Sequence, residues 1–232
     1  MSKTVVIHQP DFMPYLGFFH RFLHADVYVA LDHVQFVQHS RNAWTHRDKI
    51  KCSKGERWIS LSVKKCPLAT PIRGVELSVS TPWQQAHLNL LRECYGNAPF
   101  FGPVFERLEH IYRLPFERMA EFNLALMDLV CEWLAIRIPR ISSSTVAYSG
   151  SKSEMIAGIV ATVGGTRYLS GMGARDYHEQ NPFDGRGIDV IWQEFKHPVY
   201  PQQFGEFIPY LSVVDALFNC GPQAIADMLR SA

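Results

Sequence analysis

The sequence predicts a three-layer α/β fold, because strand and helix patterns alternate at both ends of the 232-residue chain. Near the N-terminus a buried strand, a loop, a helix and a second strand follow within about thirty residues, the size of a βαβ crossover. Residues 80–136, between the two alternating parts, have helical patterns. Together these observations predict a Rossmann-like, mostly parallel sheet with a helical insertion or lid, within one α/β domain of residues 1–232.

The loop after the first strand is the most informative segment. Residues 4–8 are short, apolar and β-branched, which predicts a buried strand. The loop that follows contains two prolines, which fix φ and remove two backbone donors. Open α/β sheets build ligand sites outside the carboxyl ends of their strands. We therefore expect His8 and Gln9 in a site at this edge, with His8 as its base.

The remaining elements follow from hydrophobic periodicity and turn residues. Further strands are predicted at 26–32, 57–63, 72–79, 137–141, 167–170 and 188–195, and helices at 15–25, 82–96, 104–112, 116–134, 151–163, 212–219 and 222–230. Prolines and a glycine around 57–63 and 72–79 favour a hairpin or an antiparallel addition there. Ser151 and Ser212 are predicted N-caps, and Gly221 is predicted to stop a helix.

Composition excludes several classes of protein. The chain is 47% hydrophobic and 19% charged, which is typical of a globular protein. Its net charge of +1 argues against a general nucleic-acid binder. No apolar run reaches the roughly 18 residues of a membrane span, and the N-terminus lacks a secretory pattern, so we expect a cytoplasmic protein. Five scattered cysteines and ten histidines without metal-ligand spacing predict no metal site.

Basic and aromatic residues follow the second predicted strand. Arg41, Arg47 and Lys49 lie near its end, with Asn42 and Trp44 among them. Arginine and lysine bind phosphate or carboxylate, and an aromatic ring stacks on a base or a sugar. A solvated basic turn paired with neighbouring acids is the alternative.

Two later segments supply further candidates. At the end of the strand predicted at 167–170, a turn contains Ser170, Gly171 and Gly173, and glycines in such turns expose backbone N–H groups to anions. Arg175 adds a positive charge, and a tight strand-to-helix turn is an equal alternative. After the last strand, His197 is a second candidate base, with a structural histidine as the alternative.

These motifs resemble those of the WbqC-like protein family of bacteria. The matching residues are Ile7–Pro10 with Pro14–Gly17, Asp26–Val29 with Asp32, Gln35 and Phe36, then Asn42, Trp44, Arg47, Lys49 and Ile50, Tyr168–Gly171 with Gly173 and Ala174, His197–Pro198 with Tyr200–Gln202, and positions within Leu211–Pro222. They occur in the family's order across nearly the whole chain. Ser40 and Arg41 depart from the pattern, because smaller or glycine-rich residues are expected before Asn42.

The resemblance implies an enzyme of surface-polysaccharide, O-antigen-type biosynthesis. The expected activity is a transferase that modifies a nucleotide-linked or phosphorylated amino sugar by acyl or aminoacyl transfer. The candidate catalytic residues are His8, Asp32 and His197, and the candidate substrate-binding residues are Gln9, Tyr15, Gln35, Asn42, Trp44, Arg47, Lys49, Ser170, Gly171, Gly173, Arg175, Tyr200 and Gln202. Among these, Arg47, Lys49 and Arg175 would hold phosphate and Trp44 would stack.

The expected partner is therefore a small molecule, a sugar nucleotide, with no fixed cofactor and with ATP or an acyl donor as co-substrate. Two alternatives stay open. One is an ATP-dependent nucleotidyltransferase or ligase-like enzyme, although His8 lacks the second histidine of that signature. The other is a non-catalytic scaffold of a glycan-assembly complex.

Overall fold

A five-stranded parallel sheet forms the centre of the protein. The computed structural model describes residues 2–38, 40 and 43–232. Its strands are β1 (Thr4–His8), β2 (Val27–Ala30), β3 (Arg47–Cys52), β4 (Gly55–Ser60), β5 (Arg140–Ser142), β6 (Arg167–Ser170) and β7 (Asp189–Trp192). The central sheet has the order β5-β2-β1-β6-β7 with every neighbouring pair parallel. The expected α/β fold with a mostly parallel sheet is thus confirmed, whereas its Rossmann-like character stays a prediction.

The strand order places a crevice between β1 and β6. Counted along the chain, the central strands lie in the order 3-2-1-4-5. The connections leave β1 towards one edge of the sheet and reach β6 towards the other, so this pair is the topological switch point. His8 ends β1 and Ser170 ends β6, and both therefore lie at the mouth of the crevice.

Helices cover both faces of the sheet. They are α1 (Leu16–Leu23), α2 (Trp83–Tyr95), α3 (Phe101–Arg113), α4 (Met119–Trp133), α5 (Lys152–Thr162), α6 (Asn181–Asp184) and α7 (Val213–Arg230). Alternate residues of a strand point to opposite faces. Val5 and Ile7 pack with Val160 of α5, whereas Val6 belongs to a separate core with Phe19 of α1. This division gives the three layers, helices on both sides of one sheet.

The helical block follows the hairpin between β2 and β5. Its helices α2, α3 and α4 all contact α7, so α7 joins the block to the rest of the fold. Within the described ranges, no helix has both the length and the apolar character that a membrane span requires. The extent of the insertion and its role as a lid stay predictions.

The strand predicted at 57–63 corresponds to β4, Gly55–Ser60, whereas the strand predicted at 72–79 is wrong, although an isolated antiparallel bridge pairs Val63 with Leu77. The hairpin is antiparallel and pairs β3 with β4 instead. The alternation of apolar and polar residues that marks a strand is hidden in β3, because the charged residues Asp48 and Lys51 are both buried. A short 3₁₀ helix, Ile72–Gly74, follows Pro71 where the second strand was expected.

The two predicted N-caps behave differently. Ser212 accepts a hydrogen bond from Val214 N at 3.5 Å, as expected of an N-cap. The side chain of Ser151 makes no capping bond to α5. Lys152, the next residue, has a left-handed φ of 52°, so the first turn of α5 is not a regular capped start.

A disulfide that the cysteine spacing did not predict links β3 to α2. It joins Cys52 and Cys94, which are 42 positions apart. Cys66, Cys131 and Cys220 are free thiols. A bond across this length of chain restricts the unfolded state and holds the hairpin against the helical block.

Helix α7 bends sharply at Gly221. This residue has φ 77° and ψ 162°, and Pro222 follows it. Such dihedral angles are essentially restricted to glycine. A Cβ at this position would lie 2.6 Å from the Phe100 ring, so both the backbone and the packing require glycine. The predicted break between the last two helices is confirmed.

We expect Gly221→Ala to lower the free energy of unfolding by about 1–3 kcal/mol, because alanine is strained at this φ and ψ. Urea unfolding followed by circular dichroism would measure it. Gly102→Ala is the matched control: a Cβ there meets no atom within 4 Å, and alanine favours α3. An equal loss in both variants would contradict the expectation.

Candidate active site

The loop after β1 holds its side chains over the carboxyl edge of the sheet. His8 is paired with Ala30 of β2 at that edge. Asp11 N donates to Gln9 O at 2.9 Å, which closes a tight turn. From α4, the buried Asn123 donates through Nδ2 to the carbonyl of Pro10 at 2.8 Å. The loop is therefore fixed both locally and by the helical block.

His8 and Asp11 form a dyad. The Nδ1 atom of His8 is 3.1 Å from the Gln9 carbonyl oxygen and 3.3 Å from Asp11 Oδ2. Two acceptors around one ring nitrogen assign the proton to Nδ1. The Nε2 atom, which has no partner in the part of the chain that the structure describes, is then free to accept a proton. About a third of the side chain, 34%, is exposed, so a ligand can reach the ring.

Burial controls the charge of this dyad. Burial and, to a smaller extent, the positive charge of Arg21 lower the pKa of His8 to about 3. Burial also raises the pKa of Asp11 to about 7, against the opposing effects of Arg21 and a hydrogen bond from Thr45. His8 is therefore uncharged at neutral pH, as a general base must be.

Arg21 of α1 is the least expected member of the site. It is only 5% exposed, and its Nε is buried without a partner. Its guanidinium makes no hydrogen bond or ion pair with any described residue, and Asp11 lies beyond ion-pair distance. A Cβ on Gly171 would lie 3.3 Å from Nη1, so the turn after β6 approaches Arg21 closely. Burying an unpaired charge costs several kcal/mol, and an anion would remove that cost.

Sequence reasoning missed Arg21 because it lies inside an apolar helix and not in a loop motif. The available signal was helical spacing. Arg21 follows Gly17 by four residues and Phe18 by three, which puts it on the buried face of α1. The Phe18 ring lies 5.2 Å from the guanidinium carbon. Asp11 was not predicted as a site residue either, although it lies in the loop directly after β1.

The turn after β6 brings some predicted residues to this site and leaves others outside. Ser170 is buried, and its carbonyl accepts from Gln193 N at 2.8 Å. Gly171 lies beside Arg21, as described. The segment Met172–Tyr177 is a 3₁₀ helix, and Gly173 and Arg175 in it are exposed. The turn therefore contributes its backbone near Arg21, whereas the Arg175 side chain points to solvent.

The β3–β4 hairpin gathers the predicted basic and aromatic residues. The Arg47 guanidinium lies 4.3 Å from the Trp58 ring centre, and the Lys49 ammonium lies 5.2 Å from it. Trp44 packs beside Trp58 at 5.5 Å. Lys49 also pairs with Glu56 at 2.8 Å. Arg47, Lys49 and Trp44 therefore cluster around Trp58, which was not among the predicted site residues.

Thr45 connects the hairpin to the dyad. Its hydroxyl donates to Gln9 Oε1 at 2.9 Å and lies 3.5 Å from Asp11 Oδ1. Gln9 is therefore oriented by a protein partner. Asn42 and Arg41 lie outside the residues that the structure describes.

The residues predicted after β2 lie on the side of β1 away from the crevice. The Asp32 carboxylate accepts from Ser143 Oγ at 2.9 Å and from the backbone N and Oγ of Ser144 at 2.8 Å each. It therefore ties the ends of β2 and β5 together. Gln35 is exposed and bridges to Pro71. No described group of three His, Cys, Asp or Glu side chains could hold a metal ion here or elsewhere.

Tyr200 and Gln202 belong to a buried network around Asp215. The Tyr200 hydroxyl and Gln202 Nε2 each donate to Asp215 Oδ1 at 3.0 Å. Tyr95 donates to Oδ2 at 2.8 Å. Burial raises the pKa of Asp215, and the nearby Lys51 opposes this. The network attaches the segment after β7 to α7 and α2.

Tyr15 and His197 meet in an aromatic cluster at the start of α1. The Tyr15 ring is 6.2 Å from Phe195 and 5.9 Å from Tyr210. His197 is 5.0 Å from Tyr210, and its Nδ1 is 2.8 Å from the Pro198 carbonyl. Gly17 makes room for the cluster, since a Cβ there would lie 2.4 Å from the Tyr15 ring. We call Tyr15, Phe195 and Tyr210 the aromatic wall.

Comparison with known proteins places the chain in a family. The model of the WbqC-like protein family matches residues 9–227. The chain belongs to the WbqC-like family. It is 30% identical over 231 residues to the uncharacterized protein Rv1507c of Mycobacterium tuberculosis, and the match covers 98% of each chain. No solved structure matches it.

The match to the WbqC-like family covers most residues of the candidate site. It begins directly after His8 and contains Asp11, Arg21 and Gly171. The family resemblance stated from the motifs is therefore confirmed over nearly the whole chain. The roles of individual site residues stay predictions.

We expect the imidazole of His8 to stay neutral from about pH 8 down to about pH 5, whereas a histidine in the urea-unfolded chain titrates near its usual pKa of about 6.5. NMR of ring-labelled histidine would measure this. Arg21→Gln should raise the pKa of His8, because a neighbouring positive charge is removed. A wild-type His8 that protonates near pH 6.5 would contradict the assigned environment.

NMR is preferable to pH-dependent unfolding because His8 and Asp11 change the free energy of unfolding in opposite directions as the pH changes. The stability contributed by neutral His8 is complete above its unfolded pKa of 6.5 and is lost as pH falls towards about 3. Asp11 acts in the opposite direction: the folded protein keeps its proton, so stability falls as pH rises from 3.8 towards about 7.

Proposed function

We propose that this protein is a transferase of surface-polysaccharide biosynthesis that modifies a nucleotide-linked or phosphorylated amino sugar by acyl or aminoacyl transfer. One observation carries the proposal: at the switch point of the sheet, the buried Arg21, whose Nε has no partner, and the uncharged His8 both contact the Phe18 ring, at 5.2 Å and 5.1 Å. An anion site beside a base suits transfer chemistry on a phosphate-bearing ligand. Membership of the WbqC-like family is consistent with it.

Arg21 is proposed to hold the phosphate. Its planar fork offers two parallel donors to an anion, and burial strengthens such bonds. The turn at Gly171 adds a backbone that approaches the guanidinium without a side chain between them. Arg47 and Lys49 on the hairpin are proposed as a second, outer contact to the same ligand, since Thr45 connects that hairpin to the dyad.

His8 is proposed as the general base. The amine of the sugar attacks the carbonyl carbon of an activated acyl donor, the new N–C bond forms, and the bond to the leaving group breaks. The proton of the amine passes to His8 Nε2 and then to the leaving group, so the protein is unchanged after one cycle. Asp11 would hold Nδ1–H and stabilise the transient imidazolium.

Charge links binding to chemistry in this scheme. The positive charge of Arg21 disfavours protonation of His8 in the free protein. A bound phosphate neutralises that charge and removes its part of the lowering of the His8 pKa, whereas burial, the larger cause, remains. The Asp32 carboxylate already accepts from Ser143 and Ser144, and His197 belongs to the aromatic cluster beside Tyr210, so we propose that both shape the site.

Thermal-shift binding tests the anion site first. We expect the wild-type melting temperature to rise with one sugar nucleotide or sugar phosphate, since ligand at 100 times Kd adds about 2.7 kcal/mol. Arg21→Gln should melt at or above the wild-type temperature without ligand, because an unpaired buried charge is lost, yet respond to no phosphate ligand. Arg113→Gln, on the exposed face of α3, is the control.

Turnover then tests the base. His8→Gln should retain ligand binding and lose about 10²–10⁴-fold in kcat with an acyl or aminoacyl donor. Unchanged turnover in His8→Gln, or an unchanged response in Arg21→Gln, would overturn the assignment. A response to ATP with magnesium alone would favour the nucleotidyltransferase alternative, and no response to any ligand would favour the scaffold.

A further inference from the structure

The aromatic wall brings rings from three separate segments together and leaves one of them, Tyr210, largely exposed. Its members come from three segments: Tyr15 precedes α1, Phe195 follows β7, and Tyr210 precedes α7. The Tyr15 ring meets the other two at interplanar angles of 65° and 67°. Tyr210 remains 58% exposed, although it is a large aromatic residue next to a buried site. The wall therefore has an open side.

The backbone at Tyr210 is held in a strained conformation. Its φ is 59°, in the left-handed region where a side chain costs free energy. Leu211 and Ser212 follow directly, and Ser212 is fixed by a bridge to Tyr15 and by donation from Oγ to the Met13 carbonyl at 2.7 Å. Met13 is also left-handed, with φ 44°. Strain of this kind persists where the surroundings impose it, and it is concentrated at functional sites.

The wall adjoins the proposed phosphate site through Tyr15. A Cβ on Gly17 would lie 2.4 Å from the Tyr15 ring and 2.8 Å from the Phe195 ring, and Gly17 is one helical turn before Arg21 on the same buried face of α1. Burial raises the pKa of the Tyr15 phenol, and Tyr210 and Asp11 act in the same direction. Tyr15 therefore packs against the face of α1 that carries Arg21 and also contacts the exposed Tyr210 ring at 5.9 Å.

We propose that the aromatic wall is a ring-binding subsite, in which Tyr210 stacks on the flat face of a ring covalently attached to the anion at Arg21. The inference rests on the proposed function, because the anion fixes one end of the ligand. A nucleobase and the apolar face of a pyranose share this chemistry, since both present a flat surface to an aromatic ring. Tyr210 would then distinguish ring-bearing phosphates from bare ones.

Binding by isothermal titration calorimetry tests the subsite with two matched pairs of probes. Uridine diphosphate is compared with pyrophosphate, and glucosamine 1-phosphate with inorganic phosphate. We expect the ring-bearing member of at least one pair to bind about tenfold or more tightly than its bare anion, as stacking on one ring allows. The pair that shows the gain identifies the ring as nucleobase or sugar.

Two substitutions separate stacking from structure. Tyr210→Gly should lose the tenfold gain and keep the affinity for the bare anions. It should also melt no lower than the wild type, because glycine relieves the strain at φ 59°. Tyr210→Phe keeps the ring and should keep the gain. A merely structural Tyr210 would instead lower the melting temperature of the glycine variant.

The outcomes distinguish this inference from the proposed function. If bare anions bind in an Arg21-dependent way but neither ring adds affinity, or if Tyr210→Gly keeps the gain, the ring subsite is wrong and the anion site stands. If no probe binds, or if Arg21→Gln binds them all as the wild type does, both proposals are overturned.

Discussion

The coverage of both faces of the central sheet is the constraint from which the site follows. A parallel sheet with helices on both faces has no exposed face for polar side chains. Polar groups must therefore collect at the carboxyl ends of the strands, where the chain turns. Because β1 is the middle strand and the chain reaches its neighbour β6 from the opposite direction, the loop after His8 lies at the central crevice of this strand order.

Within that crevice, burial is the largest cause of the pKa shifts of His8, Asp11 and Tyr15, and the charge of Arg21 is the next largest. Arg21 lowers the pKa of His8, opposes the rise in the pKa of Asp11 and acts on Tyr15, although it contacts none of them as an ion pair. A buried cation with no counter-ion in the described chain is unfavourable unless it is paired during function. The positive charge of Arg21 therefore lacks a counter-ion among the described residues, and this is the physical basis for expecting an anionic ligand.

The fold class could be predicted from the sequence, since β1, α1 and β2 have clear periodicity, and the position of His8 after a buried run placed the candidate site at the carboxyl edge of the sheet. The hairpin could not be placed, because the buried Asp48 and Lys51 hide its alternation. Arg21 could not be recognised as functional, because its importance comes from what surrounds it in three dimensions. Tyr200 and Gln202 show the reverse case: a polar motif that the fold uses to surround Asp215.

The disulfide between Cys52 and Cys94 has a consequence for motion. It fastens the hairpin, which carries Arg47 and Trp58, to α2 in the helical block. While the bond is intact, these two parts cannot swing independently of each other. Any opening of the helical block over the sheet edge would move the hairpin with it, so access to the crevice and the position of the proposed outer phosphate contact would change together.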